Sequence, residues 1–568
     1  MTEENNPRTV PSRVECAAVL LCSLAASFSA IVWSWRNNAL MNWGDAVAHL
    51  HIARRVFDCH QPRLSQLGSV WLPLPHILMI PFVQIYSWWA NGIAGAIPSA
   101  LAYIAACLGI YRLARHWLKP SAAAIALAFF ALNPNLLYLQ TTAMTEPLFL
   151  CEMIWLVVWL VDWRTQIVEG RAQLDRDERK ANRLLILIAA ALIAAIYTRY
   201  DGWIMAFLAW TAIGILLLKH GRLRSRTFWI ASIFVVAAPI AWFLYNAAAF
   251  GDWLEFARGP YSAKAIEMRT ASHGAGPPHP GWHNPWVSLL FFTKAAEMDA
   301  TPIGFGNTLL ILSSLGTLGA WIFARRRDFA WALLLWLPVP FYAYSVSYGS
   351  VPIFLPPWWP HSWYNTRYGM ELLPALALGI GFLASLFIAA VRDFKPQGAK
   401  FAAAALFVLA TLNAAQLVRE RPLTYVEGLK NIEAHRPYQR DIPPVLRALL
   451  AHQPNATILM ETSVDPQIVA LTGIPLRQTI NEADLAIWDT ALKAPAQHAA
   501  LVLAFDGDAV DLAVKAHPED LRVLRRFTAQ GQPSGTLYVS DTPPSSSTSN
   551  GPTAVIASGK ETKNREED

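Results

Sequence analysis

The chain has 568 residues, of which 54% are hydrophobic and 15% charged, and its mean hydropathy is +0.30. A soluble protein of this length is rarely so apolar, so an ordinary globular enzyme is excluded. The net charge of +6 sits in short Lys and Arg runs between apolar segments, which is the pattern of membrane topology signals and not a nucleic-acid footprint.

The 24 Trp and 12% aromatic content fit interfacial belts. Segments of roughly 17–25 mostly apolar residues can cross a bilayer. They fall near 14–35, 93–113, 121–139, 147–163, 184–199, 202–218, 227–249, 303–323, 329–348, 369–390 and 401–418. The first lacks a small-residue cleavage site and reads as a retained helix, not a signal peptide. Segment 71–90 is apolar but is broken by Pro73, Pro75 and Pro81, so it reads as a short helix in the interface. With that segment skipped, the basic loops all fall on one side: Arg112 to Lys119, Arg164 to Arg183, Lys219 to Arg226, Arg325 to Arg327 and Arg392 to Lys400. The N-terminus is then cytoplasmic, and the loops 36–92, 140–146, 199–202, 250–302 and 349–368 face the other way, with everything after 418.

The expected fold class is an all-α polytopic membrane protein of about eleven transmembrane helices plus an interfacial helix, with a small C-terminal α/β extracytoplasmic domain. Residues 1–13 form a cytoplasmic N-terminus, 14–418 the membrane domain, 419–541 the outer domain and 542–568 a disordered tail. In the outer domain, Pro443–Gln453 and Ala509–His517 have helical periodicity, and Thr457–Met460, Ala500–Phe505, Leu521–Phe527 and Thr536–Val539 read as strands. The five cysteines (Cys16, Cys22, Cys59, Cys107 and Cys151) show neither a disulfide framework nor zinc spacing.

Polar residues cluster in the loops of one face. In Asn42-Trp43-Gly44-Asp45-Ala46-Val47-Ala48-His49, Asp45 and His49 share a helix face, with Arg54 and Arg55 two to three turns on. This set fits a carboxylate base with cations for an anionic substrate, and equally an N-cap with headgroup contacts. Glu146 opens a span before Pro147, either as a site acid or as a complement to the helix N-terminus. Arg199 and Asp201 sit between two nearly continuous spans, where unpaired charge is costly. Arg367, followed by Tyr368, heads a span on the face where basic residues are sparse, and a guanidinium there can clamp a phosphate. The tryptophans near 358–363 fit an interfacial belt. His273, His279 and His283 read as a solvated loop, their irregular spacing being a weak metal signature.

These residues carry a resemblance. Gly44-Asp45, the proline-broken Trp71-Leu72-Pro73-Leu74-Pro75-His76, Asn133-Pro134, Thr145-Glu146-Pro147 and Arg367-Tyr368 followed by Leu372-Leu373-Pro374 resemble the GT-C glycosyltransferases over about 14–420. These enzymes use polyprenyl-phosphate-linked sugars, and their relatives include protein mannosyltransferases and lipid A aminoarabinose transferases. The resemblance implies the GT-C fold, a cell-membrane location and a polyprenyl-phosphate-sugar partner, with no nucleic acid and no named acceptor. It maps the catalytic carboxylate onto Asp45 and a second acidic position onto Glu146; the residue reading adds His49, Arg54, Arg55, Arg199, Asp201, Arg367 and Tyr368 as expected substrate-binding residues. Many members pair two acids in the first loop, whereas here Asp45 is followed by Ala46. No cofactor is required by this reading: a carboxylate pair can ligate a divalent cation, and the arginines can serve in its place. Two other classes compete. A transporter or flippase for a lipid-linked saccharide predicts polar residues deep in several spans, where Ala, Leu, Ile and Phe dominate instead. A non-catalytic scaffold predicts no dependence on Asp45.

Overall fold

A computed structural model describes residues 10–168, 175–270, 277–302, 304–324 and 327–542. The chain divides into two compact units. The first comprises Met1–Ala448, Thr462–Arg477 and Ala529–Gln532, and the second Leu449–Glu461, Gln478–Thr528 and Pro533–Asp568.

The first unit is helical. Among the described residues, eight helical stretches are long and apolar enough to cross a membrane: Arg13–Arg36, Ile93–Arg115, Glu178–Thr198, Asp201–Lys219, Arg226–Phe250, Phe329–Tyr348, Thr366–Phe394 and Gly398–His452. The protein is a multi-pass membrane protein. Its helices expose Leu21, Phe28, Phe207, Ile233 and Leu244, the apolar side chains that hydrocarbon solvates and water does not. The first helix starts with a capping box in which Glu15 N–H donates to Ser12 Oγ and Ser12 N–H to Glu15 Oε2. Glu15 also accepts from Tyr111 and Arg115, at 3.0 and 3.2 Å, which ties that helix to Ile93–Arg115.

Of the other expected spans, 147–163 lies in the unbroken helix Glu146–Val168, whereas the rest are shorter or interrupted. The segment 121–139 divides into Pro120–Ala131 and Pro134–Leu139, because Asn133 Oδ1 accepts from Asn135 N–H and Leu136 N–H and so caps a new helix. The segment 71–90 folds as Leu74–Val83 and Tyr86–Asn91. Ten residues rise about 15 Å, half of a hydrocarbon core of about 30 Å. The helix Gly306–Ala324 packs against Leu373–Phe394 at a place without room for a side chain. A Cβ on Gly316 would lie 2.0 Å from the Gly379 carbonyl oxygen, and one on Gly379 2.3 Å from that of Ser313. Backbones in membranes approach most closely at such small residues.

The second unit is built on a five-stranded sheet of order β2-β1-β3-β5-β4, with β1 Ile458–Met460, β2 Thr479–Ile480, β3 Leu501–Phe505, β4 Leu521–Phe527 and β5 Gly535–Ser540. β1 pairs parallel with β2 and β3, while β5 runs antiparallel to β3 and β4. Leu459, Val502 and Ala504 pack with Trp488, Val510 and Val514 to form its core. β4 is an edge strand, and Arg522, Arg525 and Arg526 are of the kind that keep exposed edges from pairing with other chains. Four strands lie within a residue of their expected positions, and β2, two residues long, has no alternation to reveal it.

The second unit begins at Leu449, not at residue 419. The start of the helix Leu423–His452 is bonded into the first unit, where Thr424 N–H and Oγ1–H donate to Asn135 Oδ1 at 2.9 and 3.0 Å. Thr462–Arg477 also belongs to the first unit, because the backbone N–H groups of Leu476 and Arg477 donate to Asp58. The tail after residue 542, Arg171, Arg325, Arg326 and His273 lie outside the described residues.

Candidate active site

Several chain segments meet at one cavity of about 690 Å³ in the first unit, lined by Asp45, His49, Glu146, Arg199, Asp201, Arg367 and Tyr368 among others. Asp45 lies in the first turn of the helix Gly44–Arg55, and His49 follows one turn later on the same face. Glu146 and Asp201 are the first residues of their helices, where a carboxylate complements the positive helix end. Arg199 is held in the two-residue break after Thr198. Arg367 and Tyr368 belong to the 3₁₀ turn Thr366–Leu372.

Two guanidinium groups organise the cavity. Arg367 Nη2 donates to Asp45 Oδ2 at 2.8 Å and Nε to Glu146 Oε1 at 2.9 Å. Arg199 Nη2 lies 2.9 Å from Glu371 Oε1 and Nη1 3.4 Å from Glu146 Oε1, so Glu146 sits between the two cations. Asp201 Oδ2 lies 3.5 Å from Arg199 Nε. The Tyr342 hydroxyl accepts from Arg199 Nη2 and donates to Glu371 Oε1, both at 2.7 Å. Aromatic faces cover the cations: Arg367 over Trp43 at 4.8 Å and both arginines over Tyr368, at 5.0 and 5.2 Å. Tyr368 in turn stacks on Tyr342, and Tyr342 on Phe292.

The turn that carries Arg367 is fixed from outside the cavity. Glu427 accepts from the backbone N–H groups of Asn365 and Thr366 at 2.7 and 2.9 Å and from Thr366 Oγ1 at 2.5 Å. Gly369 lets the turn touch the helix Pro285–Ala300, since a Cβ there would lie 2.4 Å from the Ala296 nitrogen.

Exposure separates the acids. The side chains of Glu146, Glu371, Glu427 and Asp201 are 0–4% exposed, whereas that of Asp45 is 42% exposed. Buried carboxylates in such ion-pair networks hold geometry, and an exposed one in a cavity can meet a substrate.

Arg54 and Arg55 do not line the cavity. Helix geometry puts Arg54 about 180° around the axis from Asp45 and about 13 Å along it, and Arg55 one residue further. Arg54 is buried, bonded to Asp58 and the Val83 carbonyl at 2.7 Å and facing Trp89 at 4.7 Å. Arg55 Nε donates to the Gln66 carbonyl at 2.6 Å. The histidine loop is not solvated throughout. His279 is buried, lines the cavity and lies 3.0 Å from Glu267, whereas His283 packs on Trp282 and Tyr348. Among the described residues, no group of three His, Cys, Asp or Glu side chains is arranged to hold a metal ion. Glu371, Tyr342 and Glu427 are site residues that sequence reasoning missed. Glu371 had a signal, as an acid one turn past Arg367 in an apolar run.

His49 and His51 are each pushed down to about 3, mainly by burial; Glu146 opposes the shift at His49, and Arg55 and Arg54 add to it at His51. Both stay neutral in the fold while an unfolded chain protonates them near pH 6.5. Stability held by His51 is therefore full above pH 6.5 and is lost as pH falls toward 3. Replacing His51 by Leu, which removes a buried Nε2 without a hydrogen-bond partner among the described residues, is expected to shift stability in the variant's favour. The gain grows by about 1.4 kcal/mol per pH unit below 6.5 and does not change with pH above it. Thermal unfolding in detergent at pH 7.5 and 5.5 measures the difference, and a pH-independent difference contradicts a neutral His51.

A second cavity, of about 1230 Å³, is lined mainly by Leu, Ile, Ala, Trp and Pro, with Arg164, Lys219 and His220. The helix Pro338–Tyr348 walls both cavities: Val339 and Pro340 face the apolar one, and Phe341, Tyr342 and Ser345 the polar one.

No protein-family model matches this chain, and no curated protein does. Among solved structures, ArnT from Cupriavidus metallidurans bound to undecaprenyl phosphate superposes on 92% of this chain and 97% of its own, with TM-score 0.52 and 13% identity. The chain has the GT-C fold. The apo state of the same ArnT matches at TM-score 0.52 over 90% of this chain, also at 13% identity. An oligosaccharyltransferase from Archaeoglobus fulgidus, tethered to an acceptor peptide, matches at TM-score 0.43 and 11% identity, over 92% of this chain and 74% of that one. In this GT-C fold, both cavities belong to the helical unit.

Proposed function

We propose that this protein is an extracytoplasmic glycosyltransferase that moves a sugar from a polyprenyl-phosphate-linked donor to an acceptor. One observation carries the reading: a single half-exposed carboxylate, Asp45, sits on a guanidinium that buried acids hold in place. Acceptor deprotonation requires a base and capture of a phosphate leaving group requires positive charge, and these two groups supply them.

In this reading the donor phosphate enters beside Arg367 and Arg199 and competes with Asp45 for Arg367 Nη2. The released Asp45 takes the proton from the acceptor hydroxyl or amine. The acceptor atom bonds to the anomeric carbon as the bond from that carbon to the phosphate oxygen breaks. The electron pair leaves on the phosphate, which the arginines stabilise. The anomeric carbon passes through an oxocarbenium-like state, and direct displacement inverts it. Glu146, 1% exposed between the two guanidinium groups, orients both, and Asp201 holds Arg199. His49 and Tyr368 border the same substrate space. The neighbouring apolar cavity suits the lipid chain, and the ArnT structure of the same fold holds undecaprenyl phosphate.

The basic runs between spans support a cytoplasmic N-terminus in the cell membrane, with the cavity on the far side. Deleting the gene tests the reading. The expected result is accumulation of a sugar-loaded polyprenyl phosphate, whose mass identifies the sugar and the chain length. An unchanged lipid-linked sugar pool counts against it.

A further inference from the structure

His49 reaches the cavity from beneath Trp71, whose ring centroid lies 4.5 Å from its own. Its Nδ1 is 2.8 Å from Nε2 of His76, and both rings are buried. One of the two nitrogens carries the shared proton, and the rest of the His76 ring decides which. Among the described residues, the buried His76 Nδ1 has no hydrogen-bond partner. With a proton on Nδ1, His76 would bury an orphan N–H, which native structures rarely contain. A bare lone pair there is better tolerated.

The proton therefore sits on His76 Nε2 and is donated to His49 Nδ1. A neutral imidazole carries one proton, so that of His49 is on Nε2. Nδ1 being committed to His76, Nε2 is the nitrogen left for the cavity that His49 lines. Burial keeps both rings neutral: His49 is pushed down to about 3, and His76 well below its ordinary value.

We infer that His76 is a positioning residue that fixes the tautomer of His49, so that His49 presents Nε2–H to the cavity as a neutral donor to an oxygen of the lipid phosphate. The identity of that oxygen rests on the proposed transfer reaction; the tautomer does not. A neutral donor beside two arginines adds a directed hydrogen bond without adding to the cationic charge. It also accounts for His76, a polar residue in the apolar helix Leu74–Val83 that touches no substrate space.

Nitrogen-15 NMR of the histidine-labelled protein in nanodiscs tests the inference, with the His49 resonances assigned by their loss in His49→Gln. The expected spectrum shows His49 protonated on Nε2, and adding polyprenyl phosphate without sugar shifts that signal. His76→Leu is expected to mix the tautomers and raise KM for the donor about 10- to 100-fold, the range of a hydrogen bond to a charged group. His76→Gln, whose amide N–H can still donate to Nδ1, is expected to restore both to near wild type. His49 protonated on Nδ1, or His76→Leu with an unchanged tautomer and KM, overturns the inference. If polyprenyl phosphate shifts the His49 signal but no sugar is transferred, the reaction is wrong and the positioning role stands. If the lipid leaves the Nε2 signal unmoved, the phosphate contact is overturned.

Discussion

Asp45→Asn is expected to lower sugar transfer by about 10²- to 10⁴-fold, the range of a lost general base, without disturbing the fold. The amide oxygen of Asn can still accept from Arg367 Nη2, which lies 2.8 Å from Asp45 Oδ2. The side chain is 42% exposed, so little packing depends on it. The loss should fall on kcat, because the carboxylate acts only as the acceptor proton leaves. KM for the donor should hold or drop, since phosphate no longer displaces a charged competitor from Arg367. Transfer assays on membranes with matched expression make the measurement. Wild-type turnover in Asp45→Asn removes Asp45 as the base.

Arg367→Ala is expected to have the other large effect, on both turnover and stability. Its guanidinium touches Asp45 and Glu146 and lies 3.9 Å from Glu427. Removing one preorganised donor to a developing anion costs about 10²- to 10³-fold in kcat. Removal also leaves Glu146 and Glu427, each 1% exposed, without that cation. Stripping one partner from a buried pair costs about 3–5 kcal/mol. Arg367→Lys keeps the charge but not the fork that spans Asp45 and Glu146, and should fall between wild type and Ala. Arg392→Ala is the control. Arg392 is half-exposed and, among the described residues, bonds only its neighbour Asp393, at 3.4 Å, so its loss should move stability by less than about 0.5 kcal/mol and leave turnover unchanged. Equal effects at 367 and 392 contradict the assignment of Arg367 to the site.

Much of the site was legible because membranes make unpaired charge costly. Asp45, Glu146, Arg199, Asp201 and Arg367 stood out as charges next to apolar runs, and the fold brings all five to one cavity. The arginines at 54 and 55 misled because nearness in sequence was read as nearness in space. A helix turns about 100° per residue, and nine residues reverse the face. Glu427 carried no local signal at all. It lies beyond the last apolar run, and only the return of its helix start to Asn365 and Thr366 reveals its role. The C-terminal strands were readable as short apolar runs, whereas the unit's boundary depends on Thr424 and Asp58, whose partners are hundreds of residues away.

The most direct measurement is a reconstitution of the purified protein in liposomes with a labelled polyprenyl-phosphate sugar and an acceptor extract. The expected result is one polyprenyl phosphate released for each sugar transferred, with release about 10²- to 10⁴-fold slower in Asp45→Asn although the donor still binds. Passage of the intact lipid-linked sugar to the opposite leaflet, without cleavage, would contradict it and make the protein a transporter.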